Sequence, residues 1–320
     1  MLTIFTCAKP FRGRAAAIQR NALRSWTLLH PAVQIILFGD AEGSQEVAWE
    51  LGIRYEAQPQ RTASGSARLD YVFRVAQQRA RYNTLCYAPC DTVLMGDFYQ
   101  ALTRVEALYH EFLMVGRACH LHFSAPRHLC DVDWQSSLRQ RAERAGRKSG
   151  AERAGYVAFS KGACLADLPA LAMDSPLCVN WLLWKALSDQ VPVVDASEMV
   201  LAVQQCCEVR RANGDCGETA ESTAESLALC GGGKHLRQVS KAPYLLISSD
   251  VVRNRWRGWH RWKLRAERRG SGAMRGWQQM ILQLRKISGT ATTHGVSRPS
   301  AEMRKANTHD GFVLGNGTKY

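Results

Sequence analysis

The chain has 320 residues, 46% hydrophobic and 22% charged, with a mean hydropathy of −0.25. That balance can bury a core and excludes a wholly disordered chain, while charges interrupt every apolar run before the ~18 residues that a bilayer-spanning helix needs. The net charge of +14 is concentrated, since residues 253–286 hold eleven Lys/Arg against one acid and residues 1–252 hold 27 against 25. A nearly neutral body therefore precedes a basic segment, and the length predicts one α/β domain with appendages.

In chain order, residues 2–7 read as a first strand and not as a secretory signal, having no basic stretch before them and no small-residue cleavage site. A helix is predicted over 14–29, with Ile18, Ala22, Trp26 and Leu29 on one face and Pro31 closing it. Strand 33–38, helix 45–51 and strand 53–55 complete a βαβαβ opening. Helical spacing returns over 68–81, with Leu69, Val72, Phe73 and Ala76, and the stretches 84–88 and 92–95 flank Asp91 at a strand end. Helix 98–109, strand 112–115, a charged helix from Trp134 to Arg147, strand 156–159, helix 180–187 and strand 191–194 follow. Residues 212–233, rich in Gly, Ser, Thr, Ala and Glu, read as an insertion with one short helix, and residues 288–320 as a disordered tail. Alternating strands and helices predict a largely parallel sheet with crossover helices.

Eleven cysteines, an odd number without a C-x-x-C pair, predict reduced thiols in a cytoplasmic setting. Cys206, Cys207 and Cys216 cluster in sequence, but no zinc-finger spacing accompanies them. In an open parallel sheet ligands bind beyond the carboxyl ends of the strands. The residues there are Thr6, Cys7, Lys9 and Pro10 after the first strand, Gly39 and Asp40 after the second, and Pro89, Cys90 and Asp91 after the fourth. G-x-G-x-x-G, G-x-x-x-x-G-K-[ST] and G-x-S-x-G are absent, which removes the main support for dinucleotide, P-loop and serine-hydrolase readings.

The blocks T-I-F-T-C-A-K-P-F-R-G at the start, I-Q-R-N-A-L-R-S-W from Ile18, I-L-F-G-D from Ile36 and L-C-Y-A-P-C-D from Leu85 resemble those of GT-A-type nucleotide-diphospho-sugar transferases. F-L-M-V-G-R from Phe112, N-W-L from Asn180 and V-V-D-A from Val193 extend the resemblance to about residue 247. It implies a Rossmann-like GT-A fold with a mostly parallel central sheet over 1–247; charge and composition add a helical, basic Trp/Arg-rich segment over 248–287 and the tail over 288–320. It further implies a glycosyltransferase moving a sugar from a nucleotide-diphosphate donor to an acceptor that the sequence does not name. The alternative is a catalytically impaired relative that binds nucleotide or serves as a scaffold.

The resemblance places the nucleotide over Thr6, Cys7, Lys9 and Pro10, with Arg20, Asn21, Asp40, Asp70 and Cys90 nearby. It implies Mn²⁺ or Mg²⁺ at a reduced D-x-D-like element, Pro89-Cys90-Asp91, in which Asp91 is the metal ligand and Pro89 stands where a second oxygen donor is expected. Two other acids expected from the resemblance are replaced by Gly155 and Val179, leaving Glu208 as the candidate base. Asp91 also reads as a turn residue, and Arg20 and Glu208 as solvated surface residues. The basic segment carries Trp256, Trp259 and Trp262 at spacing three. It fits three roles: packing on the body, an anionic membrane surface, or RNA phosphates.

Overall fold

Leu2, Ile4 and Phe5 lie wholly inside the protein, with Ile4 and Phe5 in cores on opposite faces of one sheet, as a strand covered on both sides requires. A computed structural model describes residues 1–254 except 58, 123–130, 152, 164–166, 207–219 and 249; for 206 and 220–223 the backbone alone is described. In chain order the elements are β1 (Leu2–Cys7), α1 (Gly13–Thr27), β2 (Gln34–Phe38), α2 (Ser44–Glu50), β3 (Arg54–Glu56), α3 (Leu69–Arg79) and β4 (Thr84–Tyr87). There follow β5 (Thr92–Val93), α4 (Gly96–Leu108), β6 (Leu113–Gly116), β7 (Ala118–His122), α5 (Trp134–Ala145), β8 (Arg147–Lys148) and β9 (Tyr156–Ser160). The last are α6 (Leu177–Ser188), β10 (Val193–Asp195), β11 (Ala202–Cys206), α7 (Ala220–Leu229), β12 (Tyr244–Leu246) and β13 (Val251–Arg253). All these elements fall in one compact unit, Met1–Arg257.

The fold is mixed α/β. A nine-stranded sheet runs β13-β12-β10-β6-β9-β4-β1-β2-β3, parallel throughout except at β9 and β13. One face packs on α3 and α6 through Phe5, Phe73, Leu85, Phe159, Trp181 and Leu182. The other packs on α1, α2 and α4 through Ile4, Leu23, Trp26, Val47, Phe98 and Leu102. Phe73 sits edge-on to Phe5 at 4.9 Å between centroids and stacks on Phe159 at 5.6 Å, geometries that add to the area such rings bury.

A four-stranded sheet, β5-β11-β7-β8, forms beside α5 over a small core of Val93, Met95, Cys119, Leu121, Leu138 and Val203. Its strands β7 and β11 are additions to the sequence reading. A-C-H-L-H and A-V-Q-Q-C carry few β-branched or aromatic residues, so their strand character comes from pairing with each other. The predicted βαβαβ opening and the later helices stand where expected, with ends moved by a few residues. Helix α7 occupies part of the predicted 212–233 insertion, and β13 carries the sheet past residue 247. No helix among the described residues is long and apolar enough to cross a membrane. The tryptophans of the basic segment, Cys207, Cys216 and the tail beyond 254 lie outside the described residues.

Candidate functional site

Strand β1 has β2 on one side and β4 on the other, both parallel to it. The chain therefore runs outward from β1 through β2 to β3, then returns through α3 to β4 on β1's other flank. At such a reversal the connections leave in opposite directions and open a crevice beyond the carboxyl ends of the two strands. In this chain the corresponding position lies beyond Cys7 and Tyr87.

Two segments enter it. After β1, Lys9 and Pro10 are exposed, and the Lys9 backbone is pinned by Gln19, whose Oε1 accepts from Lys9 N at 2.8 Å and whose Nε2 donates to Lys9 O at 2.9 Å. After β4, Thr92 N donates to Pro89 O at 2.9 Å and closes a turn around Cys90 and Asp91. Gln204 Nε2 donates to both Asp91 carboxylate oxygens at 3.2 Å. The Asp91 carbonyl accepts from Gln205 N at 3.0 Å and from Gln205 Nε2 at 3.2 Å. Burial raises the Asp91 carboxyl above its ordinary range, opposed by the Gln204 hydrogen bonds and by the positive charge of Lys9. Asp91 is thus a turn residue whose carboxylate is also held in a defined position.

Helix α1 organises both segments with polar side chains on its buried side. Besides Gln19, Asn21 Nδ2 donates to Gln205 Oε1 at 3.0 Å, Ser25 Oγ accepts from Leu94 N at 3.2 Å, and Trp26 Nε1 donates to Thr92 O at 2.9 Å. These four side chains are 4% exposed or less, and buried polar groups are retained where such partners exist. Much of the I-Q-R-N-A-L-R-S-W block is accounted for by these contacts. Asn21 therefore reaches Asp91 through Gln205. Arg20, on the outer side of the helix, donates to Glu50 of α2 at 2.9 Å and lies over the Phe11 ring.

The remaining expected residues divide. Asp40 is ion-paired with Arg61. Asp70, in the first turn of α3, takes two bonds from Arg68, at 3.1 and 2.6 Å. Cys7 is partly buried at the end of β1, its thiol pushed up to about 12 by burial and by Asp174. The buried Cys90 thiol is likewise raised well above its ordinary value and lies beside the buried Thr6 hydroxyl. Both thiols are accordingly neutral at physiological pH. Glu208 lies outside the described residues.

Farther along the same sheet edge, past β6 and β10, Arg117 and Lys148 each approach Glu198 at 3.6 Å, and Asp195 accepts from Ser197 N at 2.9 Å. Gly155, where the resemblance led to the expectation of an acid, is buried against β7. A Cβ there would come within 2.9 Å of the Ala118 Cβ, so the backbone approach itself leaves no room for a carboxylate side chain. Val179, the other replaced acid, is packed against the core with α6. Sequence reading missed Gln204 and Gln205 as partners of Asp91, because the only signal was two adjacent amides in a weak strand 113 residues away.

Among the described residues, no three His, Cys, Asp or Glu side chains converge to hold a metal ion. A cation at Asp91 would rest on a single carboxylate, both of whose oxygens accept from Gln204 and which lies within the field of Lys9. Divalent cations of this class draw most of their six or more oxygen ligands from water and substrate phosphates and at least one from a protein carboxylate. The one carboxylate here is already engaged by Gln204, so these residues do not fit a protein-built site for one.

No protein-family model and no curated protein matches the chain. Among solved structures it is similar to glucosyl-3-phosphoglycerate synthase of Mycobacterium tuberculosis, at 11% identity over 72% of this chain and 81% of that one, with a TM-score of 0.43. That synthase in complex with Mn²⁺ and UDP-glucose matches at 11% identity over 72% and 79%, TM-score 0.43. TarS 1–349 of S. aureus in complex with UDP-GlcNAc matches at 9% identity over 72% of this chain and 65% of that one, TM-score 0.43. At such values the likeness assigns no ligand and no residue role to this chain.

Proposed function

We propose that the chain binds a nucleotide-diphospho-sugar in the crevice at the β1/β4 switch point and transfers its sugar to an acceptor, as a GT-A-type glycosyltransferase. The observation that carries the reading is that α1 fixes both segments leaving the adjacent strands β1 and β4, Gln19 bonding the Lys9 backbone and Trp26 the Thr92 carbonyl, which sets the exposed Lys9 and the Gln204-held Asp91 at neighbouring strand ends. An exposed ammonium there suits a diphosphate, and a carboxylate held by two hydrogen bonds from one amide suits the hydroxyls of a donor. The sequence blocks that resemble such transferases surround the same crevice. Glu208, two positions past β11 in sequence, is the acid assigned as base.

Binding without efficient turnover is the second reading, favoured by the close packing at Gly155, which leaves that position without the acid expected there. A panel of UDP-, GDP- and ADP-sugars tests the first step by thermal shift, since a ligand at 100 times its Kd stabilises the folded state by about 2.7 kcal/mol. Release of nucleoside diphosphate from the bound donor separates the two readings. Loss of that release in Glu208→Gln with donor affinity intact supports the catalytic assignment. A panel without any shift overturns the proposal.

A further inference from the structure

We infer that this crevice receives its diphosphate without a divalent cation, Lys9 supplying the positive charge and Gln204 occupying the place beside Asp91 that a metal would need; the inference rests on the nucleotide-sugar reading above. Pro89 offers no side-chain oxygen at the turn, and Asp91 directs both oxygens at the Gln204 amide. The Gln204 N–H donors take an acceptor site on each oxygen, so a metal ion would have to share the carboxylate with them or displace them.

The other acids near the loops are engaged as well. Asp40 is held by Arg61, Asp70 by Arg68, and Asp174 accepts from Ser66 Oγ at 3.2 Å. Lys9, in contrast, has its backbone fixed from both sides by Gln19 while its side chain stays exposed. A flexible ammonium on a fixed backbone is a point charge that can follow phosphate oxygens. It also offsets the Asp91 carboxylate, which would otherwise repel the diphosphate across the crevice.

Calorimetric titration of the full chain with UDP, in EDTA and in Mn²⁺, tests this. Equal affinity in the two conditions within about twofold is expected, since no charge is being supplied by metal. Lys9→Ala should weaken UDP at least tenfold while Lys9→Arg, which keeps the charge, stays within a few-fold of wild type; tenfold is about 1.4 kcal/mol. Gln204→Glu places a second carboxylate beside Asp91 and should create Mn²⁺-dependent binding where none existed, with the melting temperature without ligand confirming that the variant is folded. Wild-type binding that needs Mn²⁺ overturns the inference and leaves the nucleotide reading standing. Unchanged affinity in Lys9→Ala overturns the role of Lys9, and a folded Gln204→Glu indifferent to Mn²⁺ overturns that of Gln204. No binding of UDP in either condition, with the other nucleotides equally silent, overturns the function and the inference together.

Discussion

Strand β4 sends Leu85 into the core with α3 and α6 and Cys86 into the core with α1 and α4, whereas β5, five residues past its end, is two residues long and depends on polar anchors. Trp26 holds Thr92, Ser25 holds Leu94, and Asn21 holds Gln205 of the adjoining β11. The large sheet draws its stability from apolar area, which is non-directional and tolerates modest change. The small sheet draws its position from hydrogen bonds, which fix direction and distance while adding only about 1 kcal/mol each. The Asp91 turn is therefore placed where geometry is set by polar contacts, on a scaffold packed by the other kind.

That contrast can be broken most severely in the large sheet. Phe73→Ala removes a ring packed on Phe5 and Phe159 and should cost about 3–5 kcal/mol, read as a fall in melting temperature at about 2–4 °C per kcal/mol. Gly155→Asp, which installs the carboxylate that the resemblance led one to expect, should cost at least ~2 kcal/mol through overpacking on Ala118 and burial of charge. It should also fail to raise donor turnover, measured as nucleoside diphosphate release.

Effects in the small sheet should be smaller in stability and larger in binding. Asn21→Ala leaves the Gln205 Oε1 acceptor without its donor and should cost about 1–3 kcal/mol, with a loss of nucleotide affinity that Phe73→Ala, measured below its melting temperature, does not show. Asp91→Asn sharpens the point through pH. Because burial raises the folded carboxyl, the folded state holds its proton more tightly than the unfolded chain. Wild type then loses stability as pH rises from below the ordinary carboxylate value through the raised one. Melting temperatures measured across that acidic range should show this loss in wild type and a shallower slope in Asp91→Asn. The smallest effect is expected at Arg20→Ala. Its pair with Glu50 is 35–41% exposed, so calorimetry should find less than about 1 kcal/mol and unchanged nucleotide affinity; a tenfold loss of affinity would show that Arg20 leaves Glu50 for a phosphate.

The amino-acid sequence by itself determined the alternation of strands and helices, because apolar spacing of period two or 3.6 records which residues face a core. It also determined that the Pro89-Cys90-Asp91 turn lies between two strand-forming stretches and that Pro89 brings no side-chain oxygen to it, both being local facts of residue identity. Tertiary structure alone decided what surrounds that carboxylate. Asn21, which the resemblance places beside the nucleotide, is instead buried against Gln205, and its burial, with that of Gln19 and Ser25, follows from the turn, the short strand β5 and β11 arriving against α1. Gln204 and Gln205 likewise gain their meaning from pairing with β5 across more than a hundred residues. Arg20 and Asn21 are neighbours in sequence but point to Glu50 and Gln205, since a helix turns adjacent residues about 100° apart. Periodicity reports the distribution of apolar area along a chain; it carries no information on which polar atoms meet, because those contacts are directional and span the whole fold.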